Sequence, residues 1–460
     1  MHLYKYMKKK YILKLFFLTL LSLSSCSESD DNTIPVSIET NPDAVFLDQN
    51  SQTDIFIFNN DSNIPQSGTL TISNPSLGSV IINNNNTPEN VNDDYLVYTA
   101  NTNTIGEDTI QYTICDTSNN CHTENISITI TSLSIVNMFE GDTPHETLSS
   151  YNFFQGILKD LNPSFGVLPY DLSTPLFTDY AKKKRFIWMP NGVKASYIND
   201  YTPLDFPTGS VIIKNFFYYN VQPDNSTKII ETRLMYKKET EWDFANYVWN
   251  EEQTEAYFTN AGSTVNLSWI EGESIKTTNY RIPSRAECFT CHNQLDDPTP
   301  IGLKPQNINK DYNYEDGSAN QIRKLIEFGY LNPDDLPDNI NSSVAWDDEA
   351  QPLELRVRSY LDINCAHCHS DEGHCNYRPM RFAFHLTENP ENLGVCVEPE
   401  TQFIPNSYIV KPNDTDLSIL YYRISTTDES FRMPLLGRTT NHEEGIDLIE
   451  EWINSLNNCE

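Results

Sequence analysis

The chain has 460 residues, 38% of them hydrophobic and 21% charged, with a formal net charge of −33 at pH 7. That length exceeds one average domain and points to about three. So acidic a balance argues against nucleic acid as a partner, because phosphate backbones are held by clustered cations.

The N-terminus opens with the basic stretch MHLYKYMKKKYILK, followed by the short apolar run LFFLTLLSLSS. A run this short reads as a signal peptide rather than a membrane span. Its end, Leu23-Ser24-Ser25-Cys26, resembles the lipobox of bacterial lipoproteins, and SESDDN after it resembles the acidic surface-export signal of Bacteroidota lipoproteins. The resemblance implies a signal peptide over 1–25 and lipidation of Cys26. It also implies a chain anchored in the cell envelope at the outer membrane, on its periplasmic face or at the cell surface, without spanning it. Residues 26–40 are polar and aperiodic, as a tether would be.

From 41 to 132, short alternating runs are separated by Asn, Asp, Gly and Ser turns: Asp54–Phe58, Tyr95–Tyr98, Thr109–Ile114 and Ile126–Ile130. Regular short strands of this kind predict a β-sandwich. With Asn59-Asn60-Asp61, Gly106-Glu107-Asp108 and the run from Tyr112 to Asp116, the stretch resembles one immunoglobulin- or cadherin-like repeat of bacterial surface proteins. The resemblance implies a spacer, with ligand binding as the alternative. Cys115 and Cys121 fall in one local segment and are expected to bridge a hairpin.

Residues 133–280 are rich in aromatics, and Val211–Tyr219, Lys228–Tyr236 and Tyr247–Trp249 read as strands of a second sandwich-like domain. The basic run Lys182–Arg185 reads as a solvated strand end, with contact to the carboxylates of a bound cofactor as the other reading.

Two Cys-x-x-Cys-His strings follow: Cys288, Cys291 and His292 in ECFTCHN, and Cys365, Cys368 and His369 in LDINCAHCHSDEG. Two thiols three residues apart can each form a thioether to one vinyl group of a single heme, and the adjoining histidine can bind the iron. A zinc half-site, a redox dithiol or a short disulfide would use the cysteines but leave both histidines incidental. The expected cofactors are therefore two covalently bound c-type hemes. The first attachment segment covers 281–345, where Ser284–Glu287 can start a short helix and Asn320–Gly329 a longer one. No sixth ligand is assigned to its iron. The second region covers 346–460, with a helix at Leu353–Leu361 and an apolar helical face formed by Ile446, Ile449, Trp452, Ile453 and Leu456. Of the remaining cysteines, Cys375 and Cys396 are expected to pair, leaving Cys459 free.

The pairing of a motif-bearing helix with a C-terminal apolar-faced helix resembles the class I cytochrome c fold. That resemblance implies Met433, in Phe431–Gly437, as the second iron's distal ligand, with Met380 as runner-up. From about 150 onward the chain resembles a family of exported diheme c-type cytochromes. The carrying stretches are PLFTDYAKKKRFIWMP, the FPTGS-to-ETRLM run, CFTCH followed by PIGLKPQNIN, and CAHCH with the late RMPLLG. The expected fold class is multidomain: an all-β immunoglobulin-like sandwich, a β-rich middle domain and a mainly α-helical cytochrome c-like C-terminal region. The expected role is electron transfer between donor and acceptor proteins in the envelope, with no catalytic side chain. A diheme peroxidase-like oxidoreductase with an open first heme and a surface binding protein are the alternatives.

Overall fold

A computed structural model describes residues 37–101, 104–132, 134–294, 297–371 and 373–459. The signal peptide, Cys26 and the first part of the tether lie outside the described residues. The chain divides into two compact units after Thr131.

The first unit is two sheets over one core. One sheet joins β1 (Asp43–Asp48), β7 (Cys121–Thr131), β6 (Gly106–Asp116) and β3 (Gly68–Ile72), with β1 parallel to β7. The other joins β2 (Gln52–Ile55), β5 (Tyr95–Ala100) and β4 (Gly78–Asn83). Strict alternation decides which side is buried: in β6, Asp108, Ile110, Tyr112 and Ile114 point inward while Thr109 and Gln111 face out. They meet Leu96 and Tyr98 of β5 in a shared core. Buried Asp108 is satisfied by Ser76 N at 3.0 Å, Leu77 N at 2.7 Å and Tyr98 Oη at 2.8 Å. The β6–β7 hairpin is closed by a Cys115–Cys121 disulfide.

In the second unit a two-residue pair, β8 (Phe154–Gln155) and β9 (Asn162–Pro163), precedes the main sheet. That sheet runs in the order β10 (Leu168–Tyr170), β11 (Lys182–Trp188), β12 (Val211–Val221), β13 (Ser226–Lys237), β14 (Trp242–Trp249) and β15 (Ala256–Thr259). The hairpin β16 (Ser263–Glu271) and β17 (Ser274–Ile282) joins β12 at Val221 and Trp269. These strands of the middle region are thus joined, all antiparallel, in one eight-stranded sheet. Its strands read as nearly continuous apolar runs because both faces are covered. On one face Phe186, Ile213, Leu234 and Tyr247 pack against Leu148, Tyr151 and Phe153. On the other, Ile187, Ile212, Met235 and Phe244 pack against Cys288, Leu303, Ile322 and Ile363, so both motif-bearing segments rest on this sheet.

Beyond the sheet lie α1 (Arg285–Cys291), α2 (Pro305–Ile308), the hairpin β18 (Asp311–Tyr314) and β19 (Gly317–Asn320), α3 (Gln321–Glu327), α4 (Leu353–Cys365), α5 (Ile419–Ser425) and α6 (Glu443–Ser455). The expected fold class is corrected here. Strand accounts for 33% and helix for only 17%, and a mainly α-helical cytochrome c-like C-terminal region is not what the chain forms. Among the described residues beyond Ile282, only α4 and α6 are longer than two turns; turns and irregular chain fill most of the rest. Prolines account for much of this, since Pro298, Pro300, Pro333 and Pro337 interrupt the first segment and Pro379, Pro390, Pro399 and Pro405 the second.

The expected Cys375–Cys396 bridge is also corrected. Cys396 pairs with Cys459, closing a sequence separation of 63, and Cys375 is a buried free thiol. Helices α4 and α6 pack together through Val357, Leu361, Ile449 and Trp452 and bring the C-terminus back over the core, and this return delivers Cys459. Cys459→Ser is expected to destabilise the second unit by roughly 2–4 kcal/mol, read by urea unfolding of oxidised protein.

Candidate functional site

The first motif is held by a short, firmly capped helix. Ser284 Oγ accepts from Glu287 N while Glu287 Oε2 accepts from Ser284 N at 2.8 Å, a reciprocal capping box. Burial would raise the Glu287 carboxyl, but hydrogen bonds from Ser284 and the Arg281 guanidinium at 2.5 Å hold it below its usual range. Arg285 ties the same turn to β14 through Asp243 at 2.6 Å. Cys288 is therefore fixed against the sheet, with Asn246 Nδ2 3.8 Å from its Sγ, and burial pushes its thiol up.

The second motif ends α4, whose last two turns are buried along Leu361, Asp362, Ile363 and Asn364. Lys304 Nζ reaches Asp362 Oδ1 at 2.8 Å, and Phe177 N donates to Asn364 Oδ1 at 2.9 Å. These bonds seat α4 against the first segment and the chain leading into β11.

The two motifs consequently meet. Ligand atoms of Cys291, His367 and Cys368 all lie within 4.8 Å of one another. The contact holds Cys291 well below a free thiol, chiefly through the hydrogen bond with Cys368, and pushes Cys368 up. One sulfur is thus favoured as thiolate and its neighbour as thiol. Three ligands from half-buried residues could hold a transition metal, but a structural zinc site takes four.

Two adjoining cavities open on either side of this contact. The first, about 1560 Å³ of empty space partly open to solvent, is lined by Cys288, Cys291, His292, Cys365 and Met433, with Met235, Phe244, Ile301 and Leu303. The second, about 1810 Å³ on the same measure, is lined by Cys365, Cys368, His369, Met380 and Met433, with Phe382, Phe403 and Leu420. Met433 and Cys365 stand in the wall common to both.

Both motif histidines are poised as neutral imidazoles. Burial, together with Lys214 and Arg233, lowers His292 to about 3, and its Nδ1 lies 2.9 Å from Thr299 O. A carbonyl only accepts, so Nδ1 carries the proton and Nε2 keeps a free lone pair, the arrangement of a metal-binding histidine. Burial likewise lowers His369 to about 4, and its Nδ1 has no partner among the described residues.

All seven predicted heme-contacting residues therefore lie at these two cavities. Arg185, buried at the first cavity, sits where the second reading of the Lys182–Arg185 run puts it, whereas nothing in the sequence joins His367, Lys214 and Arg233 to the site. Strand alternation would have placed Lys214 on the face of Ile212, but which strands lie beside it is a non-local fact.

The family model of the bacterial Ig domain matches residues 32–129, and the first unit is an immunoglobulin-like domain. No curated protein matches the chain. Among solved structures, the extracellular cadherin domains 1–4 of protocadherin gamma B7 are 8% identical over 54% of this chain and 76% of that one, with a TM-score of 0.17. Immunoglobulin domains 1–4 of Sidekick-1 are 6% identical over 53% and 74%, with a TM-score of 0.14. A 2,6-sialyltransferase from a Vibrionaceae Photobacterium species is 8% identical over 22% of this chain and only 21% of its own length, with a TM-score of 0.16. Likeness so remote carries no argument about the function of this chain.

His442, also at the first cavity, is packed against Phe177 at 4.2 Å and Trp346 at 4.9 Å, with Nδ1 3.0 Å from Tyr360 Oη. Burial lowers it to about 4, although Glu444 lies 3.8 Å away. The unfolded chain accepts a proton near the ordinary 6.5 that the folded ring refuses. Stability present above pH 6.5 is therefore lost as pH falls toward 4. His442→Phe keeps the stack and removes this loss, so urea unfolding at pH 7 and 4.5 is expected to show a smaller acid penalty in the variant.

Proposed function

We propose that the protein is a membrane-anchored diheme c-type cytochrome that passes electrons between donor and acceptor proteins in the bacterial cell envelope. The observation that carries this reading is the meeting of the two Cys-x-x-Cys-His motifs, from segments far apart in the chain, at the wall between two cavities. Zinc or dithiol chemistry gives no reason for a second cavity or for either adjoining histidine.

The donor set fits the group. Cys288 and Cys291, and Cys365 and Cys368, would each add S–H across a vinyl double bond, forming thioethers with nothing released. His292 and His369 would bind iron as neutral imidazoles, and Met433 would offer its thioether to the second iron. Heme so held supplies one-electron exchange between ferrous and ferric iron. The chain's part is to fix both groups side by side, keep water from the apolar walls and bias the charge around them. No side chain is required as acid or base. The immunoglobulin-like domain serves as a spacer from the lipid at Cys26, on the outer membrane's periplasmic or outer face.

A second reading rests on the Cys291–His367–Cys368 group, which would take one transition metal ion with an outside fourth ligand. Protein matured in a heme-attaching host separates the two readings: it is expected to give a c-type reduced spectrum and two one-electron steps on potentiometric titration. Stoichiometric zinc without heme absorbance would favour the second reading. Met433→Ala is expected to abolish the methionine–iron charge-transfer band of one heme; an unchanged band removes Met433 from the iron. Carbon monoxide binding to the reduced wild type would instead mark an open iron and favour an oxidoreductase.

A further inference from the structure

Strands β11, β12 and β13 place three cations in one row. Arg185 is opposite Lys214, and Lys214 is opposite Arg233. All three point to the first cavity. Like charges directly opposite on one face destabilise a sheet, so such a row, covered by protein, needs anions.

The chain supplies too few. Asp171 pairs with Arg185 Nη1 at 2.5 Å and Glu231 with Arg233 at 2.5 Å, while Lys214 has no carboxylate partner among the described residues. Arg185 is only 4% exposed, yet its Nε and Nη2 have no hydrogen-bond partner among the described residues. Burial and the neighbouring guanidinium groups of Arg185 and Arg233 hold the Lys214 amine well below its usual range, against the opposing pull of Glu231.

The direction of the row tells which anion it suits. Its β14 end is Asn246, opposite Arg233 and in contact with Cys288 Sγ. Arg185 lies three strand spacings from Asn246, roughly 14 Å at about 4.8 Å per strand. A heme fixed through its vinyl groups presents its two carboxylates from the far side of the ring. We infer that Arg185, Lys214 and Arg233 form the carboxylate-binding edge of the first cavity and receive the propionates of the heme attached at Cys288 and Cys291. The inference rests on the heme reading above. Guanidinium forks suit carboxylates bidentately, and the cations beside the ring offset the propionate charge that would otherwise favour the ferric state.

The test uses the full-length lipoprotein carrying both hemes, with Lys214→Met, Arg185→Lys and, as a control, Lys184→Met, which is exposed one position along β11. Lys214→Met removes a like-charge contact and is expected to fold. Resonance Raman bands of carboxylate bending should move for one heme in Lys214→Met and Arg185→Lys and stay put in Lys184→Met. In Lys214→Met the reduced-to-oxidised ratio of that heme at fixed potential should fall about tenfold, ~59 mV for a one-electron couple; Arg185→Lys, which keeps its charge, should change it less. Bands unmoved in both cavity variants, with both hemes attached, would overturn the inference whatever the potentials do. Wild-type protein lacking attached heme would instead overturn the heme reading itself.

Discussion

The constraint on which the second unit depends is that two short segments, one ending at His292 and the other at His369, must share one wall. Neither is long enough to hold a geometry alone: α1 has seven residues, and α4 passes its motif into a chain of turns. What fixes them is the cavity-side face of the eight-stranded sheet. Phe244 and Met235 meet Cys288 there, and Ile363 brings α4 to the same cluster. The bonds from Lys304 to Asp362 and from Phe177 N to Asn364 then lock the two segments in register. The sheet is therefore part of the site and more than a neighbouring domain.

That arrangement carries a cost which its chemistry explains. Thiols, imidazoles and cations are all more expensive when buried than apolar groups of the same size. Burial pushes Cys288 and Cys365 toward the thiol and His292 and His369 toward the neutral ring. A chain selected only for stability would fill two cavities and avoid three cations on one sheet face. Groups kept under such conditions are where function is sought first.

Much of the local structure was legible in the sequence. The alternation around Thr109–Ile114 and Ile126–Ile130 lies within β6 and β7, the runs at Val211–Tyr219 and Lys228–Tyr236 within β12 and β13, and the helix read at Leu353–Leu361 within α4. The motif cysteines and histidines were legible as two strings of one fixed spacing, and both strings border the two cavities. Non-local facts were not. Nothing in the spacing says that Cys291 reaches Cys368, that Cys396 pairs with Cys459 over an intervening helix pair, or that Arg185, Lys214 and Arg233 stand in one row. The last third carries a helical signal at α4 and α6, and the proline-rich chain between them keeps it from being mainly helical.

The most direct measurement of the central claim is the intact mass of the full chain after maturation in a host that attaches heme, taken under denaturing acid with thiol labelling. The account requires the added mass of two hemes and no labelling at Cys288, Cys291, Cys365 or Cys368. A chain without that mass, whose four sulfurs take up the label, would contradict it.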